Sequence, residues 1–441
     1  MCSRAFIHCW LLCASSAIIL TAIGASSADQ VGNKEALQKA FNENAQRREQ
    51  LFTGQEQAKA GDAKIATAAA NFYLHRITNT SENPLAIQKD FTNAIFKLEK
   101  APSSRAFVNY FAPALVNSMK EVFANNNVKV DGPVVVNAAM MLPMMARLQD
   151  GAINDYLIFL IQDEKGTHDV VRHYALKALR EVMPIRVQLD TDSTLSKFED
   201  FNDASQNARR KYDAKNVNAL AGYIEYIERP RKPDTITPGQ IEIVRFLRRE
   251  AIISLAQAGA PAVSALKKPV KMEGLVAPVL LKVLAGDVEP SPSMSEQIEA
   301  ALGLCAMRYP NMPDYNPEIA HFLIGRTLKK FTTEYNKDLI NFAIVGAKKQ
   351  VPYLFWKGEA NRLKSGLKQL ADNSAKIPAA RTSAEQLEIK FGPIFNSIST
   401  YKNVGGERVQ DLDEYLPRIT PKDSKVFKNL PKAPEIKLSA P

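Results

Sequence analysis

Apolar residues recur three and four positions apart along most of this chain, the spacing that places them on one side of an α-helix. Over 33–59, Leu37, Phe41 and Ala45 form a first helical stripe, which Gly54, Gly61 and Asp62 interrupt. DAKIATAAANFYLHRI predicts a second helix, and Asn83-Pro84 closes the loop behind it. A third helix carries Ile87, Phe91, Ile95 and Leu98, and a fourth, over 103–125, carries Phe107, Tyr110, Phe111 and Leu115. These four helices fit either a small bundle or the irregular opening of a repeat array.

The middle of the chain is more regular. VVVNAAMMLPMMARL, GAINDYLIFLIQDEKG and THDVVRHYALKALREVM follow one another with turns of only a few residues, as stacked antiparallel helices require. Pro143 removes a backbone donor inside the first, so a kink or a helix boundary is expected there. Asp169-Val170-Val171-Arg172, followed by Ala175, Ala178 and Leu179, resembles the second part of a HEAT repeat, in which a Val-Arg pair precedes small residues that let helices pack closely. LRREAIISLAQAGAPAVSAL, over 247–266, resembles it again: Leu247-Arg248 takes the Val-Arg place, and Gly259-Ala260-Pro261 makes the short turn. Val171 and Leu247 lie 76 residues apart, two units of 38, a normal length for this repeat. The resemblance implies an irregular HEAT-like (armadillo-type) α-solenoid, similar to an exported bacterial repeat protein.

The expected fold is therefore all-α, with an N-terminal helical region over 29–128, HEAT-like repeats over 129–310, and a further helical region over 311–400. A polar, proline-bearing insertion near 188–238 separates the two clearest repeat segments. Beyond 311, PEIAHFLIGRTLKKF, KDLINFAIVGAKK, PYLFWKGEANRLKSGLKQLADN and SAEQLEIKFGPIFNSISTY each predict a helix. The segment 401–441, rich in proline and lysine, is expected to be extended or disordered, since it has no apolar repeat to bury.

The first residues change the picture of where this scaffold works. Arg4 precedes an apolar stretch from Trp10 to Ile23, and Ser26 and Ala28 occupy the small-residue positions of a signal-peptidase site, so 1–28 is expected to be a signal peptide. The location expected is the periplasm or the cell surface. Of four cysteines only Cys305 lies outside that segment, where no internal disulfide can form. The formal charge of +10 points, in an exported protein, to an acidic protein or an anionic envelope polymer, and is compatible with peripheral association with a membrane; no nucleic acid is expected.

Candidate chemistry is sparse. Three basic runs, Arg209-Arg210-Lys211, Arg248-Arg249, and Lys267, Lys268 and Lys271, could be aligned by stacked helices into one anion-binding groove. His168, Asp169 and His173 are a local polar group, for which a helix N-terminus is the simpler reading. Met140, Met141, Met144 and Met145 could offer soft sulfur to cuprous copper, but adjacent pairs on a helix cannot all face one ion. No zinc spacing, GxSxG elbow, phosphate loop or dinucleotide fingerprint occurs, and no catalytic residue, metal or cofactor is expected. The function expected is a non-enzymatic binding or scaffold protein. A polysaccharide hydrolase with an acidic pair, Asp190 and Asp192 or Glu225 and Glu228, and a metal-binding protein using Met140–Met145 are the alternatives.

Overall fold

The computed structural model describes residues 28–79, 82–125, 128–182, 220–259, 261, 275–308, 315–345, 353–375, 377–428 and 434–438. The fold is all-α: about 78% of it is helical, and among the described residues there are no strands, only two isolated bridges, Tyr315 with Phe427 and Lys425 with Glu435. The chain divides into two compact units, one built from 1–183 with 202–219 and the other from 184–201 with 220–441.

In the first unit the helices are α1 (Ala28–Glu43), α2 (Ala45–Thr53), α3 (Ala63–Arg76), α4 (Pro84–Lys100), α5 (Arg105–Asn125), α6 (Val128–Ala139), α7 (Leu142–Ala146), α8 (Gly151–Gln162) and α9 (Asp169–Val182). Their ends follow local chemistry. Gly54, at φ 68°, takes the left-handed conformation that closes α2, where a Cβ would be strained. The Asn83 side chain accepts from the Leu85 N–H at 3.0 Å and Pro84 opens α4, while Asp150 caps α8 through the Ala152 N–H at 2.8 Å. Pro143 sits in the first turn of α7, so the predicted disturbance is a helix boundary, not a kink. The expected single helix over 33–59 is two, broken at Asn44. Within this unit α1 packs on α3, α3 on α5 and α5 on α8, while α2 packs on α4, α4 on α7 and α7 on α9.

In the second unit a helix over 220–228, α10, is followed by α11 (Pro238–Ala256), α12 (Val276–Ala285), α13 (Met294–Ala306), α14 (Pro317–Val345), α15 (Tyr353–Ser374), α16 (Pro378–Ser399) and α17 (Gly406–Tyr415). Capping boxes start α11, between Thr237 and Gln240, and α13, between Ser293 and Glu296. Here α11 packs on α13 and α13 on α15; α12 packs on α14 and α14 on α16. Gly303 permits the closest approach: a Cβ there would lie 2.6 Å from the Ala256 Cβ and 3.0 Å from the Leu280 side chain.

Three expectations need correction. The expected helices over 317–331 and 337–349 are joined through 332–336 in α14, described as far as Val345, because buried Phe331, Thr332 and Tyr335 carry the apolar side across the polar FTTEYN stretch. The later part of the polar insertion is not all irregular: over 220–228 it forms α10, which buries Leu220, Tyr223, Tyr226 and Ile227; its earlier part, 188–219, lies outside the described residues. The segment after 400 is not an unpacked tail. α17 and a 3₁₀ turn over Leu416–Ile419 bury Leu412 and Leu416, and Val426, Phe427 and Ile436 are buried further on. Single apolar residues spread among prolines and lysines anchor it without any helical repeat in the sequence.

Candidate functional site

Of the eight basic residues predicted to share a groove, the structure describes Arg248 and Arg249; Arg209, Arg210, Lys211, Lys267, Lys268 and Lys271 lie outside the described residues. Arg248 does not line a groove. It is fully buried, its Nε donating to Glu296 Oε1 at 2.6 Å and its Nη2 to the Pro290 carbonyl at 2.7 Å. The other oxygen of Glu296 accepts from the Ser293 N–H at 2.6 Å and from the Ser293 hydroxyl at 2.8 Å. One carboxylate thus caps α13 and ties it to α11, and the low local dielectric forbids separating the pair cheaply. Sequence could not reveal this, since an Arg-Arg dipeptide on a helix reads as a solvated face until its partner is known.

Arg249 is partly exposed and also engaged. Its Nη2 donates to Glu299 at 2.5 Å, and Arg362 from α15 donates to the other Glu299 oxygen at 2.6 Å. Arg362 also reaches Glu359 at 2.8 Å. Burial pushes the Glu299 carboxyl up, but the hydrogen bonds from Arg362 and Arg249 outweigh it and hold it below the ordinary carboxylate value. Burial raises Glu359, helped by the negative charge of Glu299 and opposed by Arg362. These charges link α11, α13 and α15.

The other candidates separate. Glu225 pairs with Arg229 at 2.9 Å and Glu228 with Lys282 at 2.6 Å, so each carboxylate of that proposed acidic pair has a cation of its own; Asp190 and Asp192 lie outside the described residues. Met141 and Met145 are buried, whereas Met140 and Met144 are only half-buried, so the four sulfurs divide between two sides. His168 Nδ1 accepts from the Val170 N–H at 3.2 Å, an N-terminal cap of α9, and Asp169 pairs with Arg172. Among the described residues no group of three His, Cys, Asp or Glu side chains could hold a metal ion. Cys305 is buried, and burial pushes its thiol up to about 12, which leaves it a protonated core group.

Sequence reasoning passed over two features. His321 of α14 is buried, with its Nδ1 hydrogen-bonded to the Ser383 hydroxyl of α16. Ser383 Oγ also donates to the Ala380 carbonyl at 3.0 Å. Burial lowers the His321 pKa to about 4 and keeps the imidazole neutral. The second feature is a cleft of about 330 Å³ in the first unit, bordered by α1, α2, α3 and α4. The rings of Phe41 and Phe72 stack at 3.8 Å. The Arg48 guanidinium lies 3.3 Å from the Phe41 centroid, and that of Arg76 lies 4.9 Å from the Phe72 centroid. At these spacings Arg48 and Phe72 must cover opposite faces of Phe41, which makes a four-tier column.

The two ends of that column differ. Arg76 pairs with Glu82 at 2.8 Å and Asp90 at 3.2 Å, and neighbouring Lys97 pairs with Glu49 at 2.5 Å. Arg48 hydrogen-bonds to the Phe41 carbonyl, and no carboxylate among the described residues forms an ion pair with it. Burial pulls the Arg48 guanidinium below its ordinary value, against the pull of Tyr73 and Glu49, and burial pushes the Tyr73 phenol up to about 12. The stripe that marked Phe41 as core in the sequence gave no sign that an arginine one turn beyond α1 would fold back over it.

Comparison with protein-family models, with curated proteins and with solved structures finds no match for this chain. Among the described residues no helix is long and apolar enough to cross a membrane.

Proposed function

We propose that this chain is an exported, non-enzymatic binding or scaffold protein, an irregular HEAT-like α-solenoid that holds a protein or an anionic envelope partner on the faces of its stacked helices. The observation that carries this reading is the alternate packing within each unit. In the second, α11, α13 and α15 form one succession and α12, α14 and α16 another. Helices stacked in two rows leave extended outer faces, the surfaces on which repeat proteins hold partners. The ionic groups of that unit fit the same role, because Arg248, Glu296, Glu299 and Arg362 tie successive helices of one row to each other. An acidic-pair hydrolase has less support, given that Glu225 and Glu228 each hold a cation. The charge of +10 favours an acidic partner.

Two measurements test the proposal. The chain from Asp29 should sediment with vesicles containing phosphatidylglycerol, remain in solution with phosphatidylcholine alone, and be released as salt shortens the screening length to about 3 Å near 1 M. Equal behaviour toward both vesicles, together with no binding to an acidic polysaccharide at low salt, would overturn the anionic-partner reading. In a bacterial host, N-terminal sequencing of the exported fraction should begin at Asp29; recovery of the chain only in the cytosol with Met1 intact would overturn export.

A further inference from the structure

We infer that the cleft bordered by α1, α2, α3 and α4 is a binding site for a small organic monoanion, a carboxylate carried on an apolar or aromatic body and received by the Arg48 guanidinium. The inference does not rest on the scaffold reading, since a small ligand within the first unit needs no partner on the helix rows.

Charge selects the ligand's sign and number. The cleft is lined by three cations, Arg48, Arg76 and Lys97, and two carboxylates, Glu49 and Asp90. Arg76 pairs with Asp90 at 3.2 Å and Glu82 at 2.8 Å and Lys97 with Glu49 at 2.5 Å, which leaves Arg48 as the lining cation with no ion pair among the described residues. A monoanion gives Arg48 a direct partner, whereas a dianion would bring a second negative charge beside Glu49 and Asp90. Shape selects the head group. A guanidinium carries five N–H donors in a planar fork, and one of those of Arg48 is committed to the Phe41 carbonyl. Held 3.3 Å from the Phe41 centroid, it keeps enough N–H donors for two parallel hydrogen bonds to a carboxylate. The partly desolvated guanidinium makes such bonds stronger than they would be at an open surface.

Size and lining select the rest of the molecule. About 330 Å³ stands at the small end of ligand pockets. Phe52, Phe72, Tyr73 and Ala94 offer apolar surface, and the exposed Asn93 amide stands on the α4 side. The aromatic column is already stacked within itself, so it serves as a rigid wall that positions Arg48.

The test uses the chain from Asp29 and titration calorimetry with 3-phenylpropionate, its neutral amide and inorganic phosphate. The carboxylate should bind, and the amide and phosphate should each bind at least about tenfold more weakly, the loss expected for a charge-assisted hydrogen bond. Arg48→Gln should lower carboxylate affinity by a similar factor with the far-ultraviolet circular dichroism unchanged. Asn93→Trp, which places bulk in the cleft from α4 and keeps Arg48, should also weaken binding and guards against misfolding of the arginine variant. Equal affinity for acid and amide, undiminished binding in both variants, or no binding of the acid at millimolar concentration would overturn the proposal. Vesicle association of the same protein samples reports on the scaffold reading separately.

Discussion

Arg48 in the first unit and Arg248 in the second are both withdrawn from water, and they are handled in opposite ways. Arg248 has a carboxylate at 2.6 Å and a carbonyl at 2.7 Å, with Glu296 itself fixed by the cap of α13. Arg48 has an aromatic face and one carbonyl, and no carboxylate among the described residues. Full burial of a charge requires a counter-charge, whereas half-burial is sustained by a ring quadrupole and residual water. The first arrangement is a closed clamp between helices. The second leaves an electrostatic demand that something outside the chain can meet.

The sharpest way to break this contrast is to remove the counter-charge of the clamp. Glu296→Gln leaves the Arg248 guanidinium buried without an anion and also weakens the α13 cap, which should cost about 3–5 kcal/mol in urea-induced unfolding. A loss below about 1 kcal/mol would mean that Arg248 finds water, and the distinction between the two arginines would collapse.

A smaller effect tests whether the second unit is as closed around α14 as around α11. His321 is neutral when folded, its pKa lowered to about 4 by burial, while the unfolded chain takes up a proton near the ordinary value of 6.5. Between those values the unfolded state binds more protons, so stability is full above pH 6.5 and falls as pH drops toward 4. From pH 7 to pH 4.5 the loss assigned to this group is roughly 2–3 kcal/mol. Across that range the urea-derived unfolding free energy of the wild type should fall by this much more than that of His321→Gln; parallel curves would show that water reaches the imidazole.

The smallest change is expected where the structure is open. Arg48→Gln removes a cation–π contact and no ion pair, so stability should shift by within about 1 kcal/mol, measured by the same unfolding experiment. A loss above about 3 kcal/mol would make Arg48 a structural clamp of the Arg248 kind and remove the reason to expect a ligand beside it.

That the chain is helical, and much of where the helices lie, is legible in its residues alone. Ile87, Phe91, Ile95 and Leu98 lie on one buried side of α4 as their spacing requires, and Asn83-Pro84 starts that helix through chemistry confined to a few neighbouring residues. Periodicity and capping are local, and local facts can be read from a string of residues. Such a string does not determine which charged residues are interior. Arg248 and Arg249 are adjacent and chemically identical, yet one is sealed and the other is partly exposed, because the helix turns about 100° between them and α13 supplies Glu296 on one side only. Val426, Phe427 and Ile436 show the same limit in a segment without periodicity, where burial depends on surfaces formed elsewhere in the fold. The column of Arg48, Phe41, Phe72 and Arg76 joins residues from three helices, and the cleft beside it exists only once those helices have packed. Ion pairing and cavity shape depend on distances between segments remote along the chain, and those distances are set by packing.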